Sequence, residues 1–314
     1  MKKSVLLLSA AFALAGAVAP AFAEGNTVAL VVGVKGSPFY EALACGAKAK
    51  AKELGLDLTV SAGDQFAADS QVPIVNAVAA AKPAVAVVVP TDFVALVPPL
   101  KQMDTLGTKV VVIDLTISDT SFVKTQILTD NKQGGKEAAD AMNKLLGGKG
   151  KVLVITQPPG SSGQDDRTLG FEQQLKQYPG LDYVGAQYQS DDPQKAAEIV
   201  TSALSAHPDL AGIFATNDQG AIGTITGLKQ AGADGKVKLV AYDAATAEVN
   251  ALKNGQLHTL IAQNPKVEGE LAMEAAAKLI KGESLPALTS AETVVIGPGD
   301  TASADKYEYK GDCQ

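Results

Sequence analysis

Carboxylates stand at the ends of apolar runs in this chain, and the arrangement occurs twice. Val110 to Ile113 leads into Asp114, and Lys238 to Ala241 leads into Tyr242-Asp243. Likewise Val89-Pro90-Thr91-Asp92 in the first half is answered by Ala215-Thr216-Asn217-Asp218 in the second. Carboxylate, amide and hydroxyl groups gathered in this way can accept and donate hydrogen bonds to a polyhydroxylated molecule. A pair such as Asp114 and Asp243 also has the residue types of a glycoside-cleaving acid and base, but binding accounts for them without a tuned pair of acidities. Other catalytic signatures are missing. No apolar run leads into G-x-G-x-x-G, no G-x-S-x-G elbow occurs, and Gly33-x-x-Gly36 and Gly160-x-x-Gly163 lack the remaining glycines of a dinucleotide loop. His207 and His258 are far apart, and with Cys45 and Cys313 they make neither a zinc site nor a Cys-His nucleophile. Neither an enzyme nor a cofactor is expected.

The elements that must position these groups are legible from periodicity. Short apolar runs alternate with longer segments of helical period, the pattern of parallel strands joined by crossover helices, so the class is α/β. Strand candidates are 28–34, 58–61, 85–89, 110–113 and 126–128, then 152–156, 183–188, 212–215, 238–241 and 257–262. Helical stretches include 68–81, 135–146, 193–206 and 220–231. One plan is used twice, and in doubly wound sheets ligands bind where strands end at their carboxyl edge. Two such domains facing each other make a cleft. Asp92 and Asp218 each precede a helical run and are read primarily as N-caps.

Composition bounds the partners. The chain has 314 residues, of which 46% are apolar and 19% charged, as in a globular protein with a filled core. With 27 basic against 34 acidic residues and no basic cluster, the net charge of -7 gives nucleic acid and anionic membranes no electrostatic footprint. At the N-terminus, Lys2 and Lys3, the apolar run from Val5 to Val18 and Ala21-Phe22-Ala23 have the form of a cleavable signal peptide. The mature chain is then expected to begin near Glu24, in a periplasm, with no cysteine there to take a lipid. In that oxidising compartment Cys45 and Cys313 are expected to pair, the alternative being two independent thiols. The stripe Phe39, Leu43, Gly46, Lys50 and Leu54 points inward and turns Cys45 outward, where a C-terminal tail can reach it.

Several stretches together resemble the ribose-binding-like periplasmic binding proteins, the pentose and hexose receptors of ATP-driven importers. They are Val31-Val32-Gly33 with Ser37-Pro38-Phe39-Tyr40, Pro90-Thr91-Asp92, Val112-Ile113-Asp114, Asp130-Asn131 with Gly134-Gly135, and Arg167 with Gly170-Phe171. Ala206-His207-Pro208-Asp209, Phe214-Ala215-Thr216-Asn217-Asp218, Val240-Ala241-Tyr242-Asp243 and Ile261-Ala262-Gln263 complete the series. The resemblance implies two Rossmann-like lobes joined by three strands, one built from 24–128 with 264–292 and the other from 129–263 with 293–314. It also implies a hinge that closes over ligand, an ABC transporter permease as partner, and a monomer.

The same resemblance assigns roles. Phe39 and Tyr40 match rings that lie against the sugar, Asp114 and Asp243 match carboxylates that accept its hydroxyls, and Asn217 and Gln263 match cleft amides. Arg167 matches an arginine reaching in from the second lobe, the alternative being an ion pair with Asp165 or Asp166. Two departures bear on the ligand. Leu115 stands where ribose receptors carry a second arginine, and Asp191 stands where they carry an aromatic ring. If Asp191 faces the cleft, the site favours a polyol, a differently shaped monosaccharide or an amino sugar over ribose, phosphates and carboxylates. If the loop at Ser190 to Asp192 is shifted by one residue, Asp191 faces solvent. A sugar-responsive repressor would need a helix-turn-helix where the signal peptide stands. A chemotaxis receptor, or a receptor for a quorum-signalling furanone, remains the alternative.

Overall fold

The computed structural model describes residues 25–310 and 313, so the expected signal peptide lies outside the described residues. The first sheet contains β1 (Thr27–Val34), β2 (Asp57–Gly63), β3 (Val85–Val88), β4 (Lys109–Ile113), β5 (Thr125–Thr129) and β11 (Leu288–Ala291), ordered β11-β5-β4-β3-β1-β2. The second contains β6 (Gly150–Thr156), β7 (Leu181–Tyr188), β8 (Leu210–Ala215), β9 (Lys238–Tyr242), β10 (Thr259–Ala262) and β12 (Val294–Ile296), ordered β12-β10-β9-β8-β6-β7. The two orders are the same order, so the repeat seen in the sequence is a repeat of topology. Pairing is parallel throughout, except that β12 runs antiparallel to β10. Strands covered on both faces need apolar residues at successive positions, and Val85 to Val88 and Val110 to Ile113 are fully buried.

Chain crossings join the lobes at three places. After β5, helix α4 (Asn131–Leu146) packs on β8, β9 and β10. After β10, helix α9 (Pro265–Ile280) returns to β3, β4 and β5, and between β11 and β12 the chain crosses again. Helix α4 starts four residues ahead of its expected beginning, because the Asp130 side chain accepts from the Gln133 N–H and caps it.

Helix α1 (Pro38–Leu54) corrects one expectation. Cys45 is buried, not outward, because residues 42–47 are covered all round, with α9 packed on one side and the C-terminal segment on another. The buried stripe ends before Leu54, which is exposed. Cys45 and Cys313 are nevertheless disulfide-bonded, with Cα atoms 4.9 Å apart.

Candidate ligand-binding cleft

Eight strand ends face each other across the interlobe space, and their loops line one cavity of about 390 Å³. From the first lobe come Ser37, Phe39 and Tyr40 after β1, Phe66 after β2, and Asp114 and Leu115 after β4. From the second come Gln157, Gln164 and Arg167 after β6, Asp191 after β7, Asn217 and Asp218 after β8, Asp243 after β9, and Gln263 after β10. All eight residues singled out in the sequence therefore meet here: Phe39, Tyr40, Asp114, Arg167, Asp191, Asn217, Asp243 and Gln263.

Arg167 is held in place by close helix packing. It lies on α5 (Ser162–Leu175), which packs against α4. A Cβ on Gly135 would come within 2.0 Å of the Arg167 carbonyl oxygen, and one on Gly170 within 2.1 Å of the Lys132 carbonyl, so only glycines allow this approach. The guanidinium donates from Nε to Asn131 Oδ1 at 2.8 Å and from Nη1 to the Thr216 carbonyl at 2.7 Å. It also lies 3.6 Å over the Tyr242 ring, a cation-π contact. Among the described residues, no ion pair joins it to Asp165 or Asp166.

The carboxylates are oriented by amides and hydroxyls. Asp243 Oδ1 accepts from Gln263 Nε2 at 2.7 Å, and its Oδ2 accepts from the Asp218 N–H at 3.1 Å. Gln263 in turn accepts from Thr129 Oγ1 at 2.8 Å, which links two of the crossing strands. Asp114 Oδ2 accepts from the Tyr40 hydroxyl at 3.2 Å. Burial raises Asp114 to about 7; the Arg167 charge opposes this and the Asp243 charge adds to it. Asn217 has two tasks, since Oδ1 caps α7 (Asp218–Gln230) by accepting from the Gly220 N–H while Nδ2 donates to Asp191 Oδ1 at 2.8 Å.

Asp191 faces the cavity. Its neighbour Asp192 is the residue that caps the next helix, α6 (Pro193–Ala206), which fixes the register of that loop. Asp191 also accepts from Gln157 Nε2 at 2.9 Å, and burial lifts it to about 6. Asp92 accepts from the Val94 and Ala95 N–H groups and so caps a turn, not the helix expected there, since α3 (Val97–Thr105) begins five residues later with Leu96 at its N-cap. Asp218 differs from its expectation: Asn217 is the cap, and Asp218 is the first residue of α7, buried and facing the cavity. Burial, followed by the Asp243 and Asp191 charges, pushes its carboxyl well up.

Four lining residues were not anticipated. Gln157 follows Thr156 at the end of β6, so the strand-end rule alone could have found it. Gln164 lies three residues before Arg167 on the same helix face. Ser37 and Phe66 come from loops whose approach to the cavity has no periodic signal. The lobes are closed at the mouth, where the Phe93 N–H donates to the Gly160 carbonyl at 2.8 Å and the Thr116 N–H to Ser162 Oγ at 2.9 Å.

Two facing lobes of one topology, with polar strand ends enclosing a closed cavity, define a two-lobed solute-binding architecture. Residues 28–284 match the family model described as periplasmic binding protein domain, and the chain belongs to that family. It is 31% identical over 287 residues to the ribose import binding protein RbsB of Salmonella typhimurium, covering 91% of this chain and 95% of that one. A solved ABC transporter solute binding protein from Agrobacterium vitis, bound with alpha-D-tagatopyranose, has a TM-score of 0.88 and 32% identity, covering 90% of this chain and 99% of that chain. Another, a carbohydrate transporter solute binding protein from Agrobacterium radiobacter in complex with D-arabinose, has a TM-score of 0.87 and 27% identity, covering 91% and 99%.

Proposed function

We propose that this chain captures a monosaccharide, polyol or amino sugar between its lobes and delivers it to the permease of an ABC transporter. The observation that carries this reading is the convergence of Asp114, Arg167, Asn217, Asp243 and Gln263 from both lobes on one small cavity that also has aromatic walls. Carboxylates, amides and a guanidinium suit hydroxyls that donate and accept, while Phe39, Tyr40 and Phe66 suit the apolar C–H faces of a ring. The import roles and sugars named for the similar proteins support the same reading, and nothing in the cleft favours a signalling furanone over a sugar.

Charge narrows the ligand. The lining has four carboxyl groups, Asp114, Asp191, Asp218 and Asp243, against one guanidinium already engaged by Asn131 and Thr216. A phosphate or carboxylate would enter that field with only this one guanidinium, two of whose nitrogens are already bonded, to meet it, so neutral and cationic ligands are preferred. Asp191 is the residue that discriminates between those two.

In this reading residues 1–23 are removed on export, and the mature protein works in the periplasm as a monomer. Its lobes comprise 24–128 with 264–292 and 129–263 with 293–314, and it catalyses no reaction. A thermal-shift panel of monosaccharides, polyols, amino sugars, sugar phosphates and furanones tests it, since a ligand bound only by the folded state raises Tm by mass action. At least one of the first three groups is expected to stabilise the protein, with phosphates inert. Stabilisation by a furanone alone, or by none of the panel, would contradict it.

A further inference from the structure

Tyr309 does not line the cavity, yet its hydroxyl stands directly behind the carboxylate that does. The hydroxyl donates to Asp243 Oδ1 at 3.0 Å and accepts from the Gln263 N–H at 3.3 Å. Tyr309 is buried, its N–H donates to the Ala244 carbonyl at 2.9 Å, and it forms an isolated bridge with Ala245. Its ring meets the Phe39 ring edge-on with centroids 5.7 Å apart. One side chain of the C-terminal segment thus contacts the cleft carboxylate of the second lobe and a cleft ring of the first.

That segment is fastened at both ends. Upstream, α10 (Thr301–Tyr307) buries Ala304, and Asp305 pairs with Lys253 of α8 (Thr246–Lys253) on the second lobe. Downstream, Cys313 is bonded to Cys45 of α1, the helix that presents Phe39 and Tyr40 to the cleft. Cys45, Cys313 and Tyr309 line a second cavity with Asn264 and Pro265, where the chain crosses between lobes. Burial, with the Asp243 and Glu248 charges beside it, raises the Tyr309 phenol well above its ordinary value, so it stays a neutral donor to Asp243.

We infer that Tyr309 is a positioning residue for Asp243 and that the Cys45–Cys313 cross-link holds it in place, so the second lobe's ligand-facing carboxylate is oriented from the C-terminal tail. Only the ligand arm of the test rests on the cleft reading above. In ligand-free protein carrying 13C-labelled tyrosine, with the Tyr309 signal assigned by Tyr309→Phe, the phenol is expected to titrate above about 10. Asp243→Asn and Cys313→Ser should each lower it. An unchanged value in Asp243→Asn would overturn the contact, and one in Cys313→Ser would overturn the role of the cross-link. In calorimetry with D-ribose, D-arabinose, D-allose and D-tagatose as probes, Tyr309→Phe should weaken whichever binds by about tenfold. In the Asp243→Asn background it should add no further loss; the same loss there would mean a merely structural role. If neither these sugars nor any other monosaccharide, polyol or amino sugar of the panel binds the oxidised protein, the cleft reading fails, while the phenol titration still decides the tail.

Discussion

Asp114 and Asp243 are equivalent in their two lobes down to the backbone. Each follows a central strand with positive φ, 62° and 86°, and each donates its N–H at 2.9 Å to the strand beyond, to the Ile127 and Ile261 carbonyls. The left-handed backbone turns both side chains off the sheet edge and into the cleft. Asp and Asn tolerate that conformation better than other non-glycine residues, which is one reason an Asp can stand there.

Stability and binding should therefore separate at Asp114. Asp114→Asn keeps a residue suited to positive φ and removes a carboxyl that burial disfavours, so at pH 7.5 the ligand-free protein should gain about 1 kcal/mol, or roughly 2 to 4 °C in Tm. Asp114→Ala leaves a β-carbon in the left-handed region without the short polar side chain that offsets its cost there, and should be less stable than Asp114→Asn by about 1 kcal/mol. Scanning calorimetry of the two variants checks the order; an Ala variant as stable as the Asn variant would contradict it.

The pH dependence follows with a definite sign. Asp114 is raised to about 7 and Asp191 to about 6, so the folded protein holds protons on them that the unfolded chain releases near pH 4. These groups favour folding most in acid, and their contribution falls as pH rises from about 4 to 6 for Asp191 and to about 7 for Asp114. Between pH 5 and pH 7.5 the Tm of ligand-free wild type should fall more steeply than that of Asp114→Asn. Equal slopes would mean that Asp114 titrates as an ordinary carboxylate.

Arg167 is a case where a like-charged replacement is not conservative. A lysine in its place could not make the two directed bonds to Asn131 and Thr216 and also cover the Tyr242 ring with a flat cation. Arg167→Lys should weaken ligand binding by about tenfold or more and lower stability by about 2 kcal/mol or more, because buried acceptors lose their partner. Calorimetric titration and urea unfolding measure the two effects; a change below about twofold in affinity would contradict the assignment.

Much of this was legible because strand ends in a doubly wound sheet are both sequence landmarks and ligand sites. Asp114, Asn217 and Asp243 could be placed from the apolar runs before them, and their cleft neighbours Arg167 and Gln263 from the family pattern. Where that link was missing, the sequence was silent. β11 and β12 are only four and three residues long, at sheet edges, and Leu288-Thr289-Ser290-Ala291 has no continuous apolar run. Phe66 and Tyr309 reach the site region through loop and tail geometry, which no local period encodes. Asp218 was read as a cap because caps and cleft residues occupy adjacent positions at the same strand end.

Export and the cross-link can be read from one periplasmic preparation. Intact mass should show a chain beginning near Glu24, and alkylation of unreduced protein should leave Cys45 and Cys313 unmodified. A retained N-terminus would contradict export by cleavage, and two alkylated thiols would contradict the bond. Closing a loop of 268 residues, the separation of the two cysteines, contributes up to about 5 to 6 kcal/mol in chain-entropy models.

The central claim is that the facing carboxylates of the two lobes grip one carbohydrate ligand, and calorimetric titration of a sugar identified in the thermal-shift panel tests it most directly. Charged hydrogen bonds contribute about 1.5 to 3 kcal/mol each, against about 8 kcal/mol for micromolar binding, so Asp114→Ala and Asp243→Ala should each weaken affinity by about tenfold to a hundredfold or more. For an amino sugar, Asp191→Ala should weaken the amino form and spare its neutral analogue. Unchanged affinity in both Asp114→Ala and Asp243→Ala would mean that the ligand binds elsewhere.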